Sequence, residues 1–242
     1  MNPSKSGLQK FIIFAHARSG STTLANVLSH SKDVQISIEP FHPKYNSWNP
    51  EERNYFEFIK DTSTLDMALE ELFRKYNGLK ILNYQFEESI YLHLLEKKNI
   101  KIILLSRKRM IDAVISRMIA GQTSIWQKDD TKSFDVFDNL KPVDIDEAKE
   151  LLDYLHELDE VYRNFLLKNR KADTLEVYYE ELFFEDHLKN IEAIRKIVTF
   201  LGVEKPNDQV IKYLMLPSKS KKNQQNLYNK LPNIKELLAL GS

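Results

Sequence analysis

Six consecutive residues, Arg18 to Thr23 in "HARSGSTT", combine one guanidinium, one glycine and four hydroxyls, at Ser19, Ser21, Thr22 and Thr23. That set holds an anion: the guanidinium fork grips two oxygens, the hydroxyls donate, and Gly20 permits a tight backbone path. The apolar run "KFIIFA" precedes it and a helical pattern begins at "TLANVL", so backbone N–H groups at a helix N-terminus would add their dipole. Nucleoside triphosphatases write such a loop G-x-x-x-x-G-K-[ST], with lysine on the terminal phosphates and a hydroxyl on magnesium. Here no lysine falls inside the loop. The plain alternative is an ordinary Ser/Thr-capped helix after a strand.

A second stretch, "KIILLSRKRMIDAVISRMIA", also runs from an apolar strand straight into a helix. Arg107 stands at the strand end and Ser116 lies nine positions later. Three cations at a helix start, Arg107, Lys108 and Arg109, oppose the helix dipole unless something negative sits beside them. The residues are either a second anion site or a merely solvated helix start.

The elements around these stretches alternate. "VQISI" (34–38), "LKILNY" (79–84) and "TLEVYY" (174–179) join 10–15 and 101–106 as strands. Leu65, Ala68, Leu69, Leu72 and Phe73, and Leu151, Leu155, Leu158, Val161, Tyr162 and Phe165, keep helical spacing between them. Strands alternating with helices predict an α/β fold with a parallel sheet flanked by helices on both faces, whose ligands bind beyond the carboxyl ends of the strands. The 242 residues read as a single domain (1–242), with a polar loop or lid at 121–144 and a basic C-terminal segment at 217–242. Lysine plus arginine and aspartate plus glutamate number 35 each, which excludes a global field for nucleic acid or an anionic membrane. There is no cysteine, hence no disulfide, thiolate zinc site or thiol nucleophile. No apolar run is long enough to span a bilayer and no signal peptide is visible, so a cytoplasmic protein is expected.

Together, "ARSGSTTL" and "LLSRKRMIDAVIS" resemble the two signature motifs of sulfotransferases that use 3′-phosphoadenosine 5′-phosphosulfate, closest in flavour to bacterial trehalose-type carbohydrate enzymes. The resemblance implies a P-loop-like fold. It implies that Arg18, Ser19, Gly20, Ser21, Thr22 and Thr23 bind the phosphosulfate, and that Arg107 and Ser116 bind the 3′-phosphate. "ISIEPFHP" is similar to the segment carrying the general base, implying Glu39. "VYYEEL" resembles a Y-E-D-L segment, implying Tyr179 near the adenine or 3′-phosphate. "SKKNQQNLYNKLPNIKEL" resembles the basic loop and C-terminal N-x-x-E-L segment, implying Lys221 or Lys222 at the nucleotide. Many members have lysine where Arg18 stands and an arginine-to-serine spacing of eight, with Lys108 at that position, so the resemblance leaves open which of Arg107, Lys108 and Arg109 meets phosphate.

The implied reaction moves a sulfuryl group to a hydroxyl, or an amine, of a small or carbohydrate-like acceptor, with adenosine 3′,5′-bisphosphate as product. The transferred group carries less charge than a terminal phosphate, so no metal is expected. Arg18 would stabilise the leaving oxygen and Glu39 would take the acceptor proton, with His42 the alternative base. His16 lines the site or packs against the sheet. Tyr45, Trp48, Tyr55, Phe56 and Phe58 form an acceptor wall or simply core. The other function classes are a P-loop kinase-like phosphotransferase and a non-catalytic nucleotide-binding protein.

Overall fold

The computed structural model describes residues 8–43, 55–125, 134–215 and 228–241. The sheet has five parallel strands among these residues: β1 (Lys10–Ala15), β2 (Ile36–Ile38), β3 (Gly78–Leu82), β4 (Ile100–Ser106) and β5 (Thr174–Tyr178), in the order β2-β3-β1-β4-β5. Alternation of side chains then builds a core on each face. Phe11, Ile13, Ala15, Ile103 and Leu105 pack with Leu24, Val27 and Leu28 of α1 (Ser21–Leu28), with Ile191, Ile194 and Val198 of α7 (His187–Leu201), and with Ile211 and Met215 of α8 (Asp208–Met215). Ile12, Phe14, Leu79, Ile81, Ile102 and Leu104 pack on the other face. Their partners are Leu65, Leu69 and Leu72 of α3 (Thr62–Lys75), Tyr91 and Leu94 of α4 (Glu88–Leu95), and Tyr162 and Leu166 of α6 (Ile145–Asn169). Helices on both faces, as the alternating sequence pattern predicts, leave the carboxyl edge of the sheet as the place where loops converge.

β1 has the expected bounds, β3 and β4 each begin one residue earlier than expected and β3 ends two residues sooner, while β2 and β5 are shortened for local reasons. β2 begins at Ile36 because Asn77 intervenes: its Oδ1 accepts from the Gln35 N–H at 2.8 Å, while Gln35 O accepts from the N–H groups of Asn77 and Gly78. β5 stops at Tyr178 because a 3-10 turn at Tyr179–Glu181 follows. Within 121–144, residues up to Thr123 belong to α5 (Met110–Thr123), and Phe137, Leu140 and Val143 are buried. They join a third core, in which α5 and α6 meet Tyr228, Leu231 and α9 (Ile234–Ala239). The described part of the expected lid is therefore anchored by apolar side chains; 126–133 lie outside the described residues.

β3 is held close to its neighbours. A methyl group on Gly78 would collide with the Phe11 ring, and would lie 2.9 Å from Ile36 Cγ1. Gly78→Ala should lower stability by about 1–3 kcal/mol with little change in the unfolding m-value, measured by urea denaturation; an unchanged midpoint would show that the strands can part freely.

Candidate active site

The loop between β1 and α1 is built to leave donors open. α1 starts at Gly20, in the left-handed region with φ 84°, and its N-terminus has no side-chain cap and no acidic residue in its first turn. Helices α3, α6 and α7, by contrast, are each capped by an aspartate, at Asp61, Asp144 and Asp186. Uncapped N–H groups at the head of a helix dipole favour an anion. Ser19 is fully buried, and its Oγ has no partner among the described residues. Gly20 must be glycine twice over, because a Cβ there would also come within 2.5 Å of the Phe183 ring and 3.0 Å of Tyr179.

Arg18 has a backbone φ of 66°, in the region non-glycine residues avoid at a cost of about 1–3 kcal/mol. Its Nε donates to Ser116 Oγ at 2.9 Å, across 98 residues of sequence. The loop after β1 and the helix after β4 are thereby joined.

The three cations of the second stretch divide. Lys108 pairs with Glu181 at 2.6 Å and Arg109 with Asp112 at 3.4 Å, both largely exposed. The Glu180 carboxylate accepts from the backbone N–H groups of Lys108 and Arg109, just ahead of the helix. Arg107 is 4% exposed, lies with its guanidinium carbon 4.0 Å from the Tyr179 ring centroid, and has an Nε with no partner among the described residues. Tyr179 in turn packs on Phe183 with ring centroids 4.6 Å apart, over Gly20. Tyr228 closes this side: its hydroxyl donates to Asp112 O at 3.0 Å and meets Arg107, and burial raises its pKa.

On the other side of the loop, Glu39 follows β2 with φ 53°. Its Oε1 pairs with Lys80 Nζ, and the side chains are 13% and 2% exposed. Burial pushes the Lys80 ammonium below its ordinary pKa, Glu39 opposes that shift, and the Arg18 charge adds to it. His42 is half-buried, its N–H donating to Glu39 O at 3.0 Å. Of the aromatic wall, the part on α2 (Tyr55–Phe58) is described: Tyr55 is buried against Phe41, Phe58 packs on the core, and Phe56 stacks on Phe86 with centroids 5.7 Å apart. Tyr45, Trp48, Lys221 and Lys222 lie outside the described residues.

Sequence reasoning missed Lys80, the one charge in an otherwise apolar parallel strand. That position was its signal, since lysine is almost never fully buried without a partner. It also missed Glu180 as the carboxylate that answers the cations at the start of α5. Among the described residues, no cluster of His, Asp and Glu is placed to hold a metal, and no helix is long and apolar enough to cross a membrane.

The family model described as Sulfotransferase domain matches residues 8–237. The chain belongs to the sulfotransferase family. Its fold is shared with a solved sulfotransferase from Alicyclobacillus acidocaldarius, at 18% identity and a TM-score of 0.50 over 96% of this chain and 95% of that one. Mouse sulfotransferase SULT7A1, solved in complex with PAP, aligns at 18% identity and a TM-score of 0.42 over 88% of this chain and 65% of that one. A comparison with functionally curated proteins gives no match. Membership makes this sulfotransferase an enzyme of sulfuryl transfer, and 3′-phosphoadenosine 5′-phosphosulfate is the donor its family implies.

His16, at the end of β1, carries a pH signature. It is 1% exposed, its Nδ1 lies 2.7 Å from Ala17 O, and burial lowers its pKa from 6.5 to about 4. Between about pH 4 and 6.5 the unfolded chain binds a proton that the folded chain refuses, so stability must rise with pH across that window. On going from pH 7 to 4 the wild type should lose up to about 3 kcal/mol relative to His16→Asn in denaturant titrations. Parallel pH curves would contradict a buried neutral imidazole.

Proposed function

We propose that this sulfotransferase transfers the sulfuryl group of 3′-phosphoadenosine 5′-phosphosulfate to an acceptor hydroxyl by in-line displacement, with Glu39 as general base. The observation that carries the reading is the Arg18–Ser116 hydrogen bond, which joins the two motifs. In this reading the uncapped start of α1, with Ser19, Gly20, Ser21, Thr22 and Thr23, holds the 5′-phosphosulfate. Arg107 and Ser116 take the 3′-phosphate, with Tyr179 beside them. The pairing of Lys108 and Arg109 with carboxylates favours Arg107 over both.

In the transfer, the acceptor oxygen forms a bond to sulfur as the bridging S–O bond breaks. The proton leaves the hydroxyl for Glu39, and the electron pair of the broken bond stays on adenosine 3′,5′-bisphosphate. Charge grows on the departing phosphate, where the Arg18 guanidinium and the α1 N–H groups are fixed before reaction begins, so little reorganisation is needed. Lys80 is a positioning residue: its ion pair holds the Glu39 carboxylate at the sheet edge. No metal is required, because the donor loop supplies the positive field.

The test is transfer of labelled sulfate from the phosphosulfate donor across a panel of hydroxyl acceptors. Glu39→Gln should lower kcat by roughly 10²–10⁴ with donor affinity retained. Arg18→Ala should lower kcat by roughly 10²–10³. Full turnover in both variants would remove these roles, and full turnover in Glu39→Gln alone would move the base to His42.

A further inference from the structure

A row of polar side chains crosses the carboxyl edge of the sheet, one residue beyond the last apolar layer. Ala15 pairs with Leu82 on one side and Leu105 on the other, so the next residues, Asn83, His16 and Ser106, continue in register, and Ser106 pairs with Tyr178. The Asn83 N–H donates to Ala15 O at 3.0 Å, which keeps that register.

The two halves of the row differ. The Ser106 side is satisfied internally: Ser106 Oγ donates to Asp159 at 2.6 Å, Asp159 pairs with Arg163, Arg163 with Glu176, and Tyr178 OH donates to Glu176 at 2.6 Å. On the β1–β3 side, His16 and Asn83 are 1% and 4% exposed, yet His16 Nε2 and Asn83 Oδ1 have no partner among the described residues. Two residues on, both amide atoms of Gln85 are buried and likewise unpaired. Buried polar atoms in native proteins are nearly always hydrogen-bonded, so such a cluster at a site edge points to a ligand.

Chemistry says which ligand. The Ala17 carbonyl only accepts, so the His16 proton sits on Nδ1 and Nε2 presents a lone pair. Three of the four atoms, His16 Nε2, Asn83 Oδ1 and Gln85 Oε1, are therefore acceptors that call for donors, with Gln85 Nε2 as the single donor. Across the site the unpaired atoms are Ser19 Oγ and Arg107 Nε, which donate and suit an anion. The turn carrying Asn83 and Gln85 is preset, because Tyr91 OH accepts from the Gln85 and Phe86 N–H groups at 2.7 and 3.3 Å and donates to Leu82 O at 2.5 Å. β3 also lies between β2, which leads to Glu39, and β1, which leads to Arg18. The amides thus follow the strand that stands between the one leading to the base and the one leading to the leaving-group arginine.

We propose that Asn83, Gln85 and His16 form a hydroxyl-recognising subsite, so that the acceptor is a carbohydrate or other polyol presenting neighbouring hydroxyls, not a lone phenol or simple alkanol. This rests on the sulfotransferase reading. A phenol has one hydroxyl, and that one must face Glu39, leaving the three acceptor atoms desolvated and unpaired.

The test uses the full chain loaded with adenosine 3′,5′-bisphosphate on a carbohydrate array, with calorimetry of the best-bound glycan and with 4-nitrophenol and 1-hexanol as comparisons. Glycan binding should exceed both comparisons. Asn83→Leu and, at the half-buried turn, Gln85→Leu should each weaken it roughly tenfold or more at unchanged bisphosphate affinity. Absence of bisphosphate binding by the wild type would defeat the sulfotransferase reading itself. Normal bisphosphate binding with no bound glycan, with 4-nitrophenol or 1-hexanol preferred, or with both leucine variants binding glycan as the wild type does, would overturn the subsite alone.

Discussion

The hydrogen bond from Arg18 Nε to Ser116 Oγ is the tie on which the site depends. Each partner reaches it through a different part of the fold: Arg18 through a left-handed residue in the loop after β1, Ser116 through the second turn of the helix after β4. β1 and β4 are neighbours in register from Lys10–Ile100 to Ala15–Leu105, so the two loops leave the sheet side by side. The parallel sheet thus brings two distant sequence motifs side by side at its carboxyl edge. The backbone strain at Arg18 and Glu39 is tolerated because ordered strands lead into both positions.

Charge is arranged locally in a chain that is neutral overall. Carboxylates occupy two of the three cations at the start of α5: Glu181, from the segment after β5, pairs with Lys108, and Asp112 of α5 pairs with Arg109, while Glu180 accepts from the backbone N–H groups of both. Arg107 is left buried against Tyr179 and Tyr228, where a low dielectric strengthens its pull on an anion. On the opposite side, Lys80 and Glu39 neutralise one another in a nearly dry setting. The buried charges therefore fall on two sides of β1, Arg107 on one and the Lys80–Glu39 pair on the other.

Much of the fold was legible because its signals are periodic: apolar β-branched runs for buried parallel strands and 3.6-residue spacing for the covering helices. The strand ends were less so, since Asn77 and the turn at Tyr179 set them through hydrogen bonds that no local pattern announces. Arg18, Gly20, Arg107, Ser116 and Tyr179 were legible as motif residues, and the structure brings them together. Lys80, Asn83 and Gln85 were not, because their meaning lies in what faces them across the sheet. Asn83 and Gln85 look like turn residues in sequence; only their burial and unpaired atoms mark them out.

The central claim is that the two strand-end loops form one site with separate places for a 5′- and a 3′-anion. Calorimetric titration of the wild type with adenosine 3′,5′-bisphosphate and with 5′-AMP, without added metal and with Mg-ATP as a comparison, tests it most directly. The account predicts that the bisphosphate binds far more tightly than 5′-AMP and needs no metal. Equal affinity for bisphosphate and 5′-AMP would leave Arg107 and Ser116 without a ligand, and preference for Mg-ATP would contradict the account outright.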